Sequence, residues 1–359
     1  MRDPIPCPQW LAEAVSPLAQ RLSFPTLPLH IHEVIGSFFA YSFINIVVAP
    51  WISNILFPVR YPKLSLDRKI NWDVHVVSLF QSTLITFLAL WVMYVDEERS
   101  NMDWQQRVWG YTGGCGMIQG LAAGYFLWDL MITIQHVKVF GFGMLAHAIS
   151  ALLVFSFGFR PFVNFYSCTF ILYEMSSPFL NFHWFFDKLD MTGSKAQLYN
   201  GLMLLFTFFC CRLCWGTYQS VRVYQDVWRA LHHQPATTSI HFDALGNGTA
   251  SAADAAAGKS AVPLHNDIMR FAGEEYVPIW LAFTYLGSNV VLNTLNFYWF
   301  TKMIQAVKKR FTPAKDHKKR EEPMVTRSTG ANGKSKVDID STEVRQRHVV
   351  VDESIEAIS

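Results

Sequence analysis

Residues 139–157 read VFGFGMLAHAISALLVFSF, with no Asp, Glu, Lys or Arg and with His147 near the middle. A bilayer core takes about 20 apolar residues per helix, so this stretch reads as a membrane span. An ionisable group at that depth is costly and is treated first as functional. Working outward, GYFLWDLMITI at 124–134 encloses Asp129, and FYSCTFILYE at 165–174 ends on Glu174.

Similar apolar runs continue from residue 33 to residue 302. Seven spans are expected, at about 33–57, 74–95, 110–134, 139–157, 162–180, 199–221 and 277–302. Lipid leaves backbone groups unsatisfied, and the runs are too long for barrel strands, so each must be helical. The fold class is therefore all-α, a multi-pass transmembrane helical bundle. Only 16% of residues are charged and 51% are hydrophobic, against about 25% charged in a soluble domain. The 15% aromatic content suits rings anchored at membrane interfaces. A net charge of +2 gives no case for nucleic acid, because the basic residues cluster beside the spans.

Orientation follows from Lys and Arg near the span ends. Lys308, Lys309, Arg310, Lys315, Lys318, Lys319 and Arg320 place the C-terminal tail in the cytosol. Seven crossings then put the N-terminus in the lumen. The 58–73 loop, with Arg60, Lys63, Arg68 and Lys69, falls on the cytosolic side, and the acidic 96–107 loop on the lumenal side. Residues 1–32 form a lumenal segment with no cleavable signal, and 33–57 an anchor helix. The 222–276 loop is lumenal and expected to be partly disordered around its Ala/Gly/Ser-rich stretch. It holds the glycosylation sequon at Asn247 and a His232-His233 pair read as solvated. The tail from 306 is expected to be disordered. The cysteines at 7, 115, 168, 210, 211 and 214 read as packed thiols, with no metal site expected. Glycines at 116, 120 and 124 follow a G-x-x-x-G spacing that allows close helix approach.

The polar residues within the spans fall at similar depths. With the hairpin turn placed near Lys138, Asp129 lies nine positions before it and His147 nine after it. At about 1.5 Å per residue the two would face each other. Gln81, Glu174 and Asn296 reach the same depth from three other spans. Arg212 lies deeper and needs a carboxylate or carbonyl partner; His75 is placed at the cytosolic interface. Three readings stay open: interhelical hydrogen bonding, catalysis with His147 as base or acyl acceptor and Asp129 as its orienter, or a lipid pocket without chemistry.

The segment 124–189 resembles the TLC-domain family, which includes the ceramide synthases. The likeness rests on Gly124-Tyr-Phe-Leu-Trp-Asp-Leu130, the histidine of Leu145-Ala-His-Ala148, Tyr173-Glu-Met-Ser-Ser-Pro-Phe-Leu-Asn181 and Trp184-Phe-Phe. Asn200-Gly201, Arg212, Asn293-Thr-Leu-Asn-Phe-Tyr-Trp299 and Trp72-Asp-Val-His-Val-Val-Ser78 extend it to about 72–305. It is nearest to the small transmembrane branch that lacks ceramide synthase activity. The resemblance implies a six-helix bundle behind the anchor helix, in the endoplasmic reticulum, acting in lipid metabolism or lipid homeostasis by binding or modifying a membrane lipid. It adds Asn181 to Gln81, Glu174, Arg212 and Asn296 as substrate-binding positions. An acyl-CoA-dependent sphingoid N-acyltransferase is the enzymatic alternative, with acyl-CoA as substrate and no cofactor. Ceramide synthases carry a histidine pair where this chain reads Ala146-His147, and Gln81 stands where the domain commonly has a histidine. A structural or chaperone-like membrane partner, or a homo-oligomer, is a further expectation.

Overall fold

The computed structural model of the chain describes residues 1–233, 268–272 and 276–311. Asn247 and the tail from 312 lie outside these residues. The described part is helical, with no strand. In chain order the helices are α1 (Gln9–Leu22), α2 (Leu27–Leu56), α3 (Leu66–Val95), α4 (Trp104–Trp109), α5 (Gly113–Gln135), α6 (Val137–Phe157), α7 (Ser177–Lys188), α8 (Lys195–His232) and α9 (Ile279–Phe311).

Local chemistry sets the boundaries. Asp103 and Gln106 close a capping box at the start of α4, which satisfies two otherwise unpaired amides. The Thr112 hydroxyl accepts from the Cys115 amide to start α5, and the Ser194 hydroxyl accepts from Gln197 to start α8. Pro50 follows a wide π turn at Ile44–Val48 in α2. A second wide turn, Phe209–Trp215, interrupts α8 and carries Arg212.

Five stretches are long and apolar enough to cross a membrane: Leu27–Leu56, Leu66–Val95, Trp104–Gln135, Val137–Phe157 and Lys195–His232. Two of the seven expected spans differ. The fifth is broken into short turns at Asn164–Tyr166, Ser167–Phe170 and Ile171–Ser176 before α7 begins. The seventh, α9, is continuous, but Ser288, Asn289, Asn293 and Asn296 dilute its apolar character. The chain still alternates end to end. The Gly113 amide donates to the Met1 carbonyl, Tyr111 to Ile268, and Thr26 to Phe159 at one end. Arg60 meets Asp190 at 2.7 Å, and Trp72 packs on Trp184 at the other.

α5 is the central helix: 72% of its apolar stretch is buried, against 17–33% in the other four. Its glycines make this possible. A Cβ at Gly124 would lie 1.9 Å from the Ser37 hydroxyl and 2.3 Å from the Val34 carbonyl. The first span thus lies along α5. Within the N-terminal segment residues 9–22 form α1, and one boundary differs from the sequence reading: helix runs on from 222 to His232.

Candidate functional site

The intramembrane polar residues form two pockets. The deeper is built on Arg212. Its Nε donates to the Tyr173 carbonyl and the Ser176 hydroxyl, both at 2.9 Å. Its Nη1 donates to Asn296 Oδ1 at 3.2 Å and its Nη2 to the Ser177 hydroxyl at 3.0 Å. Glu174 Oε1 stands 4.0 Å from Nη2. Arg212 and Glu174 are both buried. The break at Ile171–Ser176 explains the E-x-S-S-P-F-x-N element: a tight 3₁₀ turn frees the Tyr173 carbonyl and aims two serine hydroxyls at the guanidinium. Pro178, in the first turn of α7, costs little because helix-start amides lack partners.

A cavity of about 30 Å³ adjoins this cluster. Glu174, Arg212, Asn289 and Asn296 form its polar wall, and Phe126, Val154, Phe155 and Leu292 its apolar wall. His147 lines it too, half-buried, with its ring against Phe126 and Trp299. The buried Nδ1 of His147 has no hydrogen-bond partner.

The second cavity, about 60 Å³, lies toward the α5–α6 turn and is lined by Asn71, His75, Ser78, Asp129, Thr133 and Asn181 among others. Asn181 Oδ1 accepts from His75 Nδ1 at 2.7 Å, and Asn181 Nδ2 donates to the Ser78 hydroxyl at 3.1 Å. The His75 ring stacks on Trp184 with centroids 4.0 Å apart. His75 is therefore a buried partner of Asn181, not the solvated interfacial residue its position near the span end suggested.

Asp129 does not orient His147; the two side chains line different cavities. The turn falls at His136, so Asp129 lies seven positions before it and His147 eleven after it. At about 1.5 Å per residue that separates them by about one helical turn. Gly141, at φ 79°, adds a kink between the turn and His147. Gln81 is fully buried, and neither atom of its amide has a partner.

Sequence reasoning missed two networks. Arg107 grips Asp226 with a fork of 2.7 and 2.8 Å, and the Tyr166 hydroxyl donates to the same carboxylate at 2.6 Å. His30, Glu33, Asp3 and Tyr111 form another cluster between the N-terminal segment and the first span. A Glu and two His at the start of the first apolar run were the available signal for the second. The Cys115 and Cys168 thiols pack at 3.5 Å in the core.

The TLC domain family model matches residues 71–305. A TLC domain-containing protein of Schizosaccharomyces pombe is 35% identical over 300 residues, covering 84% of this chain and 86% of its own. Topoisomerase I damage affected protein 4 of Saccharomyces cerevisiae is 27% identical over 292 residues, covering 79% and 87%. Human TLC domain-containing protein 4 is 31% identical over 183 residues, covering 49% and 66%.

Proposed function

Because the chain belongs to the TLC domain family, we propose that it is a multi-pass protein of the endoplasmic reticulum membrane that binds a membrane lipid and thereby acts in lipid homeostasis, its N-terminus lumenal and its C-terminus cytosolic. The observation that carries this reading is the amphipathic cavity beside Arg212. A polar wall of Arg212, Asn296, Asn289 and Glu174 faces an apolar wall of Phe126, Val154, Phe155 and Leu292. Few polar groups converging on an apolar slot are what a small-molecule site needs. The polar wall suits an amide, hydroxyl or phosphate headgroup, and the apolar wall suits an acyl chain.

At about 30 Å³ the cavity takes one water-sized group, so an acyl chain enters only when the helices part. α6 carries the device for this. Gly141 has φ 79°, and a Cβ at Gly141 or Gly143 would meet nothing within 4 Å. The helix segment before His147 is thus kinked, with two glycines facing open space, and serves in this reading as a hinge for lateral opening.

The N-acyltransferase alternative rests on His147. Its unpartnered Nδ1 and its place on the cavity wall suit an acyl acceptor, but without a carboxylate to fix the tautomer. One experiment separates the readings. Purified protein is analysed for co-purified lipid by mass spectrometry and incubated with labelled acyl-CoA and sphinganine. The binding reading predicts bound lipid and no ceramide. Ceramide formation abolished by His147→Ala would establish the enzyme, and an empty bundle without product would defeat both.

A further inference from the structure

We propose that Asp3, His30 and Glu33 bind a divalent transition-metal ion, zinc by ligand chemistry, which ties the N-terminal segment to the first span. The three ligand atoms lie within 4.8 Å of one another. His30 Nδ1 is 2.8 Å from Glu33 Oε2 and 3.4 Å from Asp3 Oδ2. Ligands about 2.0–2.2 Å from a tetrahedral zinc are spaced about 3.3–3.6 Å apart. The His30–Asp3 spacing already fits, the His30–Glu33 spacing needs an opening of well under 1 Å, and the third, between the two carboxylates, lies within 4.8 Å.

Four further features point to a cation. His30 is fully buried and Glu33 is 4% exposed. Glu33 Oε1 is buried without a hydrogen-bond partner, with His32 Nε2 4.0 Å away, and a buried carboxylate oxygen left so is costly. His30 Nε2, on the far side of the ring, lies 2.6 Å from the Tyr111 hydroxyl. A metal-bound histidine characteristically anchors its other nitrogen in this way. Finally, α5 makes room: a Cβ at Gly116 would stand 2.1 Å from His30 Nε2, and one at Gly120 would stand 2.6 Å from Glu33 Oε2. Two glycines of the helix-packing stripe therefore also shape this cluster. Two carboxylates and a neutral imidazole suit a dication, and three protein ligands leave one coordination position open.

The competing arrangement is a metal-free hydrogen-bonded cluster, with Arg270, 5.1 Å above the Tyr111 ring, as its cation. Full-length protein in detergent is stripped with chelator, re-equilibrated with zinc and measured by elemental mass spectrometry after gel filtration. Cobalt(II) absorption reports the ligand geometry. The expected result is one zinc per chain. His30→Ala and Glu33→Gln should weaken binding by about 100-fold or more, and Tyr111→Phe, which acts only through His30, by about 10-fold. Asp3, with its side chain 15% exposed, is the least buried of the three, so Asp3→Asn decides the matter if the other variants misfold; it should weaken zinc by at least about 10-fold. Absence of zinc, zinc binding equal in wild type and Asp3→Asn, or binding lost with His32→Ala and kept in His30→Ala would each overturn the proposal.

Discussion

Replacing Arg212 by methionine removes the centre of the deeper site while keeping most of its volume. Four hydrogen bonds disappear, to the Tyr173 carbonyl, Ser176, Ser177 and Asn296. Interhelical hydrogen bonds in membranes are worth about 0.6 kcal/mol each, so the four together come to about 2–3 kcal/mol. The Glu174 carboxylate, 4.0 Å from the guanidinium, also loses its cation. Stranding one partner of a buried pair costs about 3–5 kcal/mol, and the adjoining cavity keeps this case toward the lower end. Arg212→Met should therefore destabilise the bundle by about 5–6 kcal/mol. Arg212→Lys keeps the charge but loses the fork and should cost about half as much. Arg212→Met combined with Glu174→Gln should recover part of the loss. Reversible unfolding in bicelles by steric trapping measures all three. An Arg212→Met protein within about 0.5 kcal/mol of wild type would refute the assignment of Arg212 as the structural centre, since that is the range of uninvolved surface changes.

Gly124→Ala should destabilise by about 1–3 kcal/mol, because the new Cβ meets the Val34 carbonyl, whereas Gly36→Ala, with nothing within 4 Å, should be stabilising by up to about 1 kcal/mol. The same unfolding assay reads both, and equal effects would contradict the close α2–α5 approach. Asn181→Leu removes the partner of His75 Nδ1, whose Nε2 is already unpaired, and should cost about 1–3 kcal/mol. A double-mutant cycle with His75→Phe tests this, and additive effects would remove the coupling. Asp226→Leu strands Arg107 and should cost about 3–5 kcal/mol, with Asp226→Asn milder. Similar losses for the two substitutions would indicate that charge plays no part.

The membrane bundle was legible because hydrophobic length is a one-dimensional signal, and His147, Glu174, Arg212 and Asn296 were legible because each is costly in lipid. That Asp129, with His75 and Asn181, lines a second pocket apart from them was not. It depends on where one turn falls, His136 instead of Lys138, and a shift of two residues moves two facing side chains apart along the axis by about 6 Å. The break at Ile171–Ser176 was equally hidden, since its residues read as one apolar run until Arg212 is seen drawing a carbonyl and two hydroxyls out of helical register. His75 was misplaced for a related reason: α3 begins at Leu66, so a residue near the apparent span end is a turn and more inside the helix. The G-x-x-x-G stripe, by contrast, was readable as a packing face, although its partner α2 could not be named from spacing alone.

Lipid binding requires that the cavity beside Arg212 accept an acyl chain. The most direct measurement is photo-crosslinking with a bifunctional lipid carrying its reactive group on the acyl chain, followed by peptide mapping of the purified protein. Adducts should fall on Phe126, Val154, Phe155 or Leu292, and Asn296→Ala should reduce them while the fold remains intact by circular dichroism. Adducts confined to the outward faces of α2 and α3, unchanged by Asn296→Ala, would contradict it.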